Sequence, residues 1–119
     1  MIKILFICHG NICRSTMAQF VFQDMVNHAG LADEFFIDSK ATSTEEIGNP
    51  PHRGTVRKMN ELGIPMQPHF ASHVTESDYN KFDYIIGTDK WNYKNMMRIF
   101  GGDPEGKVSL LLEFAGSGR

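Results

Sequence analysis

Residues 1–16 read MIKILFICHGNICRST, and the first half of that stretch sets the architecture. Ile2 to Ile7 is an apolar run broken only by Lys3. A strand with one wet face alternates apolar and polar residues, whereas a strand covered on both faces does not, so this run predicts a buried parallel strand. A loop from Cys8 to Arg14 follows. From Ser15 to Ala29 the residues Ala18, Val21, Phe22, Met25 and Ala29 recur at helical spacing, and Gly30 is placed to end that helix. A buried strand passing through a short loop into an amphipathic helix opens an α/β fold.

The alternation continues along the chain. Phe35 to Ala41 reads as the second strand, Thr42 to Pro51 (TSTEEIGNPP) as a loop of turn residues, and His52 to Leu62 as a helix stopped by Gly63. Thr75 to Lys81 reads as a short helix with Thr75 as its N-cap and Asp78 three residues on. Asp83 to Thr88 is the third strand. Asp89 to Phe100 is a helix capped by Asp89 and closed by Gly101-Gly102, and Val108 to Leu112 is a fourth, buried strand. Strands alternating with helices predict one domain over residues 1–119, a doubly wound four-stranded parallel sheet of order 2-1-3-4 with helices on both faces. Right-handed crossovers then put the first helix alone on one face and the later helices on the other. The fourth strand reads as buried on both sides, yet no segment of the chain is left to cover one of them. Topology therefore predicts an incomplete domain whose C-terminal helix is missing, or a partner, self-association included, over the bare face.

The totals narrow the function classes. The chain has 119 residues and a formal net charge of -2, which argues against nucleic acid or an anionic membrane as an electrostatic partner. No apolar run approaches the roughly 20 residues of a membrane helix, and the start has no signal-peptide layout, so a cytoplasmic location is expected. The two cysteines, Cys8 and Cys13, are too few and too close for a disulfide framework.

The chemistry concentrates in CHGNICRS, residues 8–15. Cys8 ends the first strand, beside the point where the order 2-1-3-4 reverses and where open α/β sheets bind ligands. Loop amides from His9 to Arg14 are placed to turn inward as an anion nest at a helix N-terminus. Gly10 allows close backbone approach, and Asn11 tolerates a left-handed turn. Such surroundings favour a thiolate at Cys8. Arg14 offers a planar fork of donors for a phosphate, and the Ser15 hydroxyl is placed to reach the sulfur. Nucleophile, oxyanion cradle and guanidinium clamp together suit phosphoryl transfer. The competing reading is a buried structural cysteine followed by a solvated arginine.

With those residues in view, LFICHGNICRSTMAQ resembles the active-site loop C-x5-R-[ST] of the low-molecular-weight protein tyrosine phosphatases. The likeness continues through DSKATSTEEIGNPPHRGT, GIPMQPHFASHVTESDYNKFDYIIGTDKWN and KVSLLLEF. It implies two-step hydrolysis of phosphotyrosine proteins or small aryl phosphates through a phosphocysteine. Cys8 would be the nucleophile, Arg14 the phosphate clamp and Ser15 the group that stabilises the departing thiolate. His9, Gly10, Asn11, Ile12, Cys13 and Arg14 would form the phosphate-binding loop, with Asn11 held through Ser39 and His69. Phosphate, sulfate and vanadate are the site ligands implied, and no metal or organic cofactor is. The second cysteine is shared with family members, which implies a reversible Cys8–Cys13 disulfide; a buried filler is the alternative.

Two positions depart from the family pattern. Its general acid is an aspartate in a D-P-[YW] loop after the last strand, and the chain reaches Ser117-Gly118-Arg119 before that loop. Asp103-Pro104 precedes the fourth strand and matches a different position, so no general acid is assigned. Weakened activity is expected, by about 10²–10⁴ where the leaving group needs a proton. A rim position often aromatic in the family is Glu45 here. Further alternatives stay open: a non-catalytic phosphate-binding module, and an arsenate reductase, against which the lack of any cysteine after Cys13 counts. His69 and His73 do not make a metal site, Arg53, Arg57 and Lys58 read as a solvated face, and Trp91, Tyr93, Met96 and Met97 read as helix packing and rim.

Overall fold

A computed structural model describes residues 1–10 and 14–111. Strands β1 (Ile2–Cys8), β2 (Phe35–Ala41), β3 (Tyr84–Gly87) and β4 (Val108–Leu110) form one sheet of order β2-β1-β3-β4. All three pairings are parallel, with Ile4 opposite both Ile37 and Tyr84. Helices α1 (Arg14–His28), α2 (Arg53–Leu62), α3 (Asp78–Lys81) and α4 (Lys90–Phe100) connect the strands. Caps mark their ends: the Asp89 side chain accepts from Asn92 N–H at the start of α4, His52 accepts from Gly54 N–H at the start of α2, and the left-handed Gly63 and Gly101 close α2 and α4.

Consecutive residues of β1 point to opposite faces and fill two separate cores, which is why its sequence does not alternate. Leu5 and Ile7 join Val74, Tyr79, Phe82, Ile85, Met96, Phe100 and Val108 on the α3/α4 face. Ile4 and Phe6 join Val26, Ile37 and Ile86 on the α1 face. The expected α/β class, strand order and helices on both faces are therefore present.

Three expectations change in detail. The short helix begins at Asp78 rather than Thr75, because the Asp78 carboxylate turns back to accept the Thr75 N–H at 2.8 Å and the residues between form a turn. Helix α2 makes its main element contact with α1 instead of spreading over the sheet face opposite it. β4 ends at Leu110, and only Val108 of its residues is buried; Leu112, the expected last residue, lies outside the described residues.

Among the described residues, the α1 face is the barer one. Phe6, Met17, Ala18, Val21, Phe22, Met25 and Leu111 line an open groove of about 680 Å³, with Arg14 and Thr88 at its polar margin. Among the described residues no helix is long and apolar enough to cross a membrane.

Candidate active site

Cys8 is the last residue of β1 and is buried, with 4% of its surface exposed. Its position follows from the sheet: β1 is flanked on both sides, so its carboxyl end opens between the loops leaving β2 and β3. Arg14 is the first residue of α1, and Ser15 and Thr16 are fully buried. The Ser15 Oγ stands 2.9 Å from the Cys8 Sγ. The expected meeting of these two side chains is thus present across seven residues of sequence.

Arg14 is exposed, and its Nη2 donates to Asp89 Oδ2 at 2.9 Å. Asp89 is the cap of α4, so one carboxylate both starts that helix and holds the Arg14 guanidinium. Burial disfavours its charge, but the N–H groups of Asn92 and Trp91 and the Arg14 guanidinium outweigh that and hold its carboxyl below the usual carboxylate range. Sequence reading identified Asp89 as a cap and missed this second bond. The available signal was position: Asp89 comes two residues after β3, on the sheet's carboxyl edge beside the switch point.

The segment after β2 is tied to Cys8 and His9 by backbone bonds. Thr42 N–H donates to the Cys8 carbonyl at 3.1 Å, and Ser43 N–H to the His9 carbonyl at 3.0 Å. Glu45 N–H donates to Ser43 Oγ, and the Glu45 carboxylate stands 3.3 Å from His9 Nε2, both side chains exposed. Glu45 is thus exposed beside His9, the residue after Cys8.

Ser39 and His69 also meet. The Ser39 hydroxyl donates to Gln19 Oε1, which leaves its oxygen to accept from His69 Nε2 at 3.3 Å. Burial pushes the His69 pKa down, with the charge of Asp38 opposing, and the ring meets Phe20 edge-on. Gln19, one helical turn after Ser15, had no distinctive sequence signal. Asn11, Ile12 and Cys13 lie outside the described residues, and so do the expected Asn11 bonds and the Cys8–Cys13 pairing. Among the described residues no three His, Cys, Asp or Glu side chains are grouped to hold a metal.

The profile of the family described as low molecular weight phosphotyrosine protein phosphatase matches residues 3–119. The low molecular weight protein-tyrosine-phosphatase YfkJ of Bacillus subtilis is 38% identical over 114 residues, 96% of this chain and 73% of that protein. The low molecular weight phosphotyrosine protein phosphatase of Rattus norvegicus is 44% identical over 96 residues, 81% of this chain but only 60% of its own length. The crystal structure of YfkJ superposes with a TM-score of 0.93, covering 96% of this chain and 72% of that one. That of SP-PTP, from Streptococcus pyogenes, superposes with a TM-score of 0.88 at 39% identity, covering 96% and 74%. On this match and this geometry, the chain belongs to the low molecular weight phosphotyrosine protein phosphatase family.

Proposed function

We propose that the chain hydrolyses phosphotyrosine and other aryl phosphate monoesters through a phosphocysteine on Cys8. The observation that carries the reading is the 2.9 Å approach of Ser15 Oγ to a buried Cys8 Sγ at the mouth of the sheet, with Arg14 held alongside. In the first step the Cys8 thiolate attacks phosphorus, the S–P bond forms and the P–O bond to the aryl group breaks. The aryl oxygen leaves with the bonding electrons and takes up a proton. In the second step water attacks the phosphocysteine, the P–S bond breaks, phosphate departs, and the thiolate is received by the Ser15 hydroxyl. Arg14 and the loop from His9 to Arg14 carry the phosphoryl oxygens through both steps. Inorganic phosphate, sulfate and vanadate occupy the same cradle.

Acidic leaving groups suit this chain best in our reading. The two carboxylates flanking the cradle are engaged, Asp89 by Arg14 and Glu45 by His9, and neither is offered as a proton donor. The test is turnover of p-nitrophenyl phosphate by the chain and by Cys8→Ser. We expect a loss of about 10³-fold or more in the variant; equal rates would overturn the reading. Vanadate binding without turnover would point instead to a non-catalytic phosphate-binding module.

A further inference from the structure

The mouth of the cradle lies between two segments of opposite chemistry. β1 sits between β2 and β3, so the loop after β2 borders Cys8 on one side and the turn after β3 borders it on the other. The β2 loop is tied to Cys8 and His9 by the Thr42 and Ser43 bonds and presents the carboxylate of Glu45. That side chain is 71% exposed and touches His9 through Oε2. A carboxylate so placed has accepting capacity left for a basic side chain arriving from solvent.

The β3 turn is tied in the same way: Thr88 N–H donates to the Ile7 carbonyl at 3.0 Å, and Asp89 holds Arg14. The chain then presents Lys90, Trp91 and, one turn on, Lys94. Trp91 is 72% exposed although its own N–H is directed at the Asp89 carboxylate, two bonds from the phosphate clamp. The Lys94 ammonium stands 5.5 Å from the centre of the indole ring. Helix α4, KWNYKNMMRIF, contains no acidic residue, so nothing on it cancels these cations. Both flanks border the carboxyl end of β1.

We propose that the two flanks read the residues beside a phosphotyrosine in opposite senses. Glu45 takes a basic side chain on the β2 side, and Lys90, Trp91 and Lys94 take acidic or aromatic side chains on the β3 side. The proposal rests on the phosphatase reading. Screening over about 8 Å at physiological salt confines the effect to the nearest few residues of the substrate, and each exposed pair supplies only a small factor. The indole adds area that a flat aromatic or an arginine on the substrate covers.

The test uses two phosphotyrosine peptides of mirrored charge, one with lysines before and glutamates after the phosphotyrosine, the other reversed. Each is titrated as a competitor of p-nitrophenyl phosphate turnover and, separately, into Cys8→Ser by fluorescence anisotropy. We expect one peptide to bind about 5- to 20-fold tighter than its mirror, as the sum of several exposed pairs. Glu45→Lys is expected to cut that ratio severalfold, and Lys90→Glu with Lys94→Glu to do the same from the other flank. Trp91→Ala should weaken both peptides while leaving their ratio standing. Equal binding of the mirrored peptides, or a ratio indifferent to Glu45→Lys, overturns the rim proposal and leaves the phosphatase reading intact. Failure to turn over the aryl phosphate together with failure to bind either peptide overturns both.

Discussion

Asp89 plays two roles with one carboxylate. Oδ1 accepts the Asn92 N–H at 3.0 Å and Oδ2 accepts Arg14 Nη2 at 2.9 Å. The two roles can be separated, because asparagine caps a helix about as well as aspartate but cannot pair with a guanidinium. Asp89→Asn is therefore expected to leave stability within about 0.5 kcal/mol while lowering kcat/KM on an aryl phosphate by about 10- to 100-fold. Thermal melts and steady-state rates check this, and an unchanged kcat/KM would remove Asp89 from the positioning of Arg14. Acidification probes the same bond. The Asp89 carboxyl is held below its usual range, so its contribution is complete above about pH 4 and is lost as pH falls through the depressed value. His69 titrates in a different window. Its folded pKa is lowered, so the unfolded chain takes up the proton first; the stability from neutral His69 is complete above about pH 6.5 and declines as pH falls below it. His69→Gln is expected to flatten the dependence of melting temperature on pH between about 6.5 and 5. An identical slope in wild type and variant would show that His69 is not the group responsible. Cys13 gives a third check on this scale. With hydrogen peroxide, two thiols at Cys8 and Cys13 yield one disulfide and two waters, so inactivation should be reversed by dithiothreitol in the wild type and resist reversal in Cys13→Ser.

At the scale of elements, what the sequence made legible was what is local. β1 announces itself because both of its faces are buried, and a doubly covered strand cannot hide its apolar run. The Cys8, Arg14 and Ser15 group is legible for the same reason: strand end, loop and helix start are contiguous. What stayed hidden depends on partners far along the chain. The Arg14–Asp89 bond spans 75 residues and leaves no spacing signature, whereas Ser39 and His69, 30 residues apart, were named through the family resemblance and not through their spacing. The burial of α1 was also misread by its periodicity. Its buried residues are Ser15, Thr16, Phe20 and Val26, whereas Met25 is 59% exposed and Ala29 is on the surface. Small polar residues enter the protein here, Ser15 against the Cys8 sulfur, and part of the apolar stripe lines an open groove instead. Neighbours on this helix should therefore respond oppositely. Val26→Ala removes buried methyl groups from the cluster with Ile4, Phe6 and Ile37 and is expected to cost about 2 kcal/mol. Met25→Glu, one residue away, is expected to cost less than about 0.5 kcal/mol. Urea denaturation of the two variants decides it, and the reverse order would mean that the helix is rotated about its axis.

At the scale of the molecule, the described residues leave an apolar face exposed. The groove of about 680 Å³ runs along α1 from Arg14 to Met25, floored by Phe6 and bordered by Leu111. Exposed apolar surface of this extent draws other apolar surfaces onto itself. The 119-residue chain is therefore expected to take up an apolar dye such as anilinonaphthalene sulfonate while fully folded. Val21 and Met25 stand in the lining, and both remain partly or largely exposed, so a carboxylate at either is solvated and leaves the fold in place. Val21→Glu should cut dye fluorescence severalfold without lowering the midpoint of thermal unfolding by more than a few degrees. Dye bound equally by Val21→Glu would locate the exposed surface elsewhere. The same variant separates a bare face from one that copies of the chain cover together. Self-association through the groove makes dye uptake per molecule fall as concentration rises, because each contact removes lining from water, and Val21→Glu abolishes the fall by placing two carboxylates against each other across a symmetric contact. Sedimentation velocity on both proteins gives the independent count. A wild type that stays monomeric while binding dye in proportion to its concentration shows that the groove is open in solution rather than shared between copies.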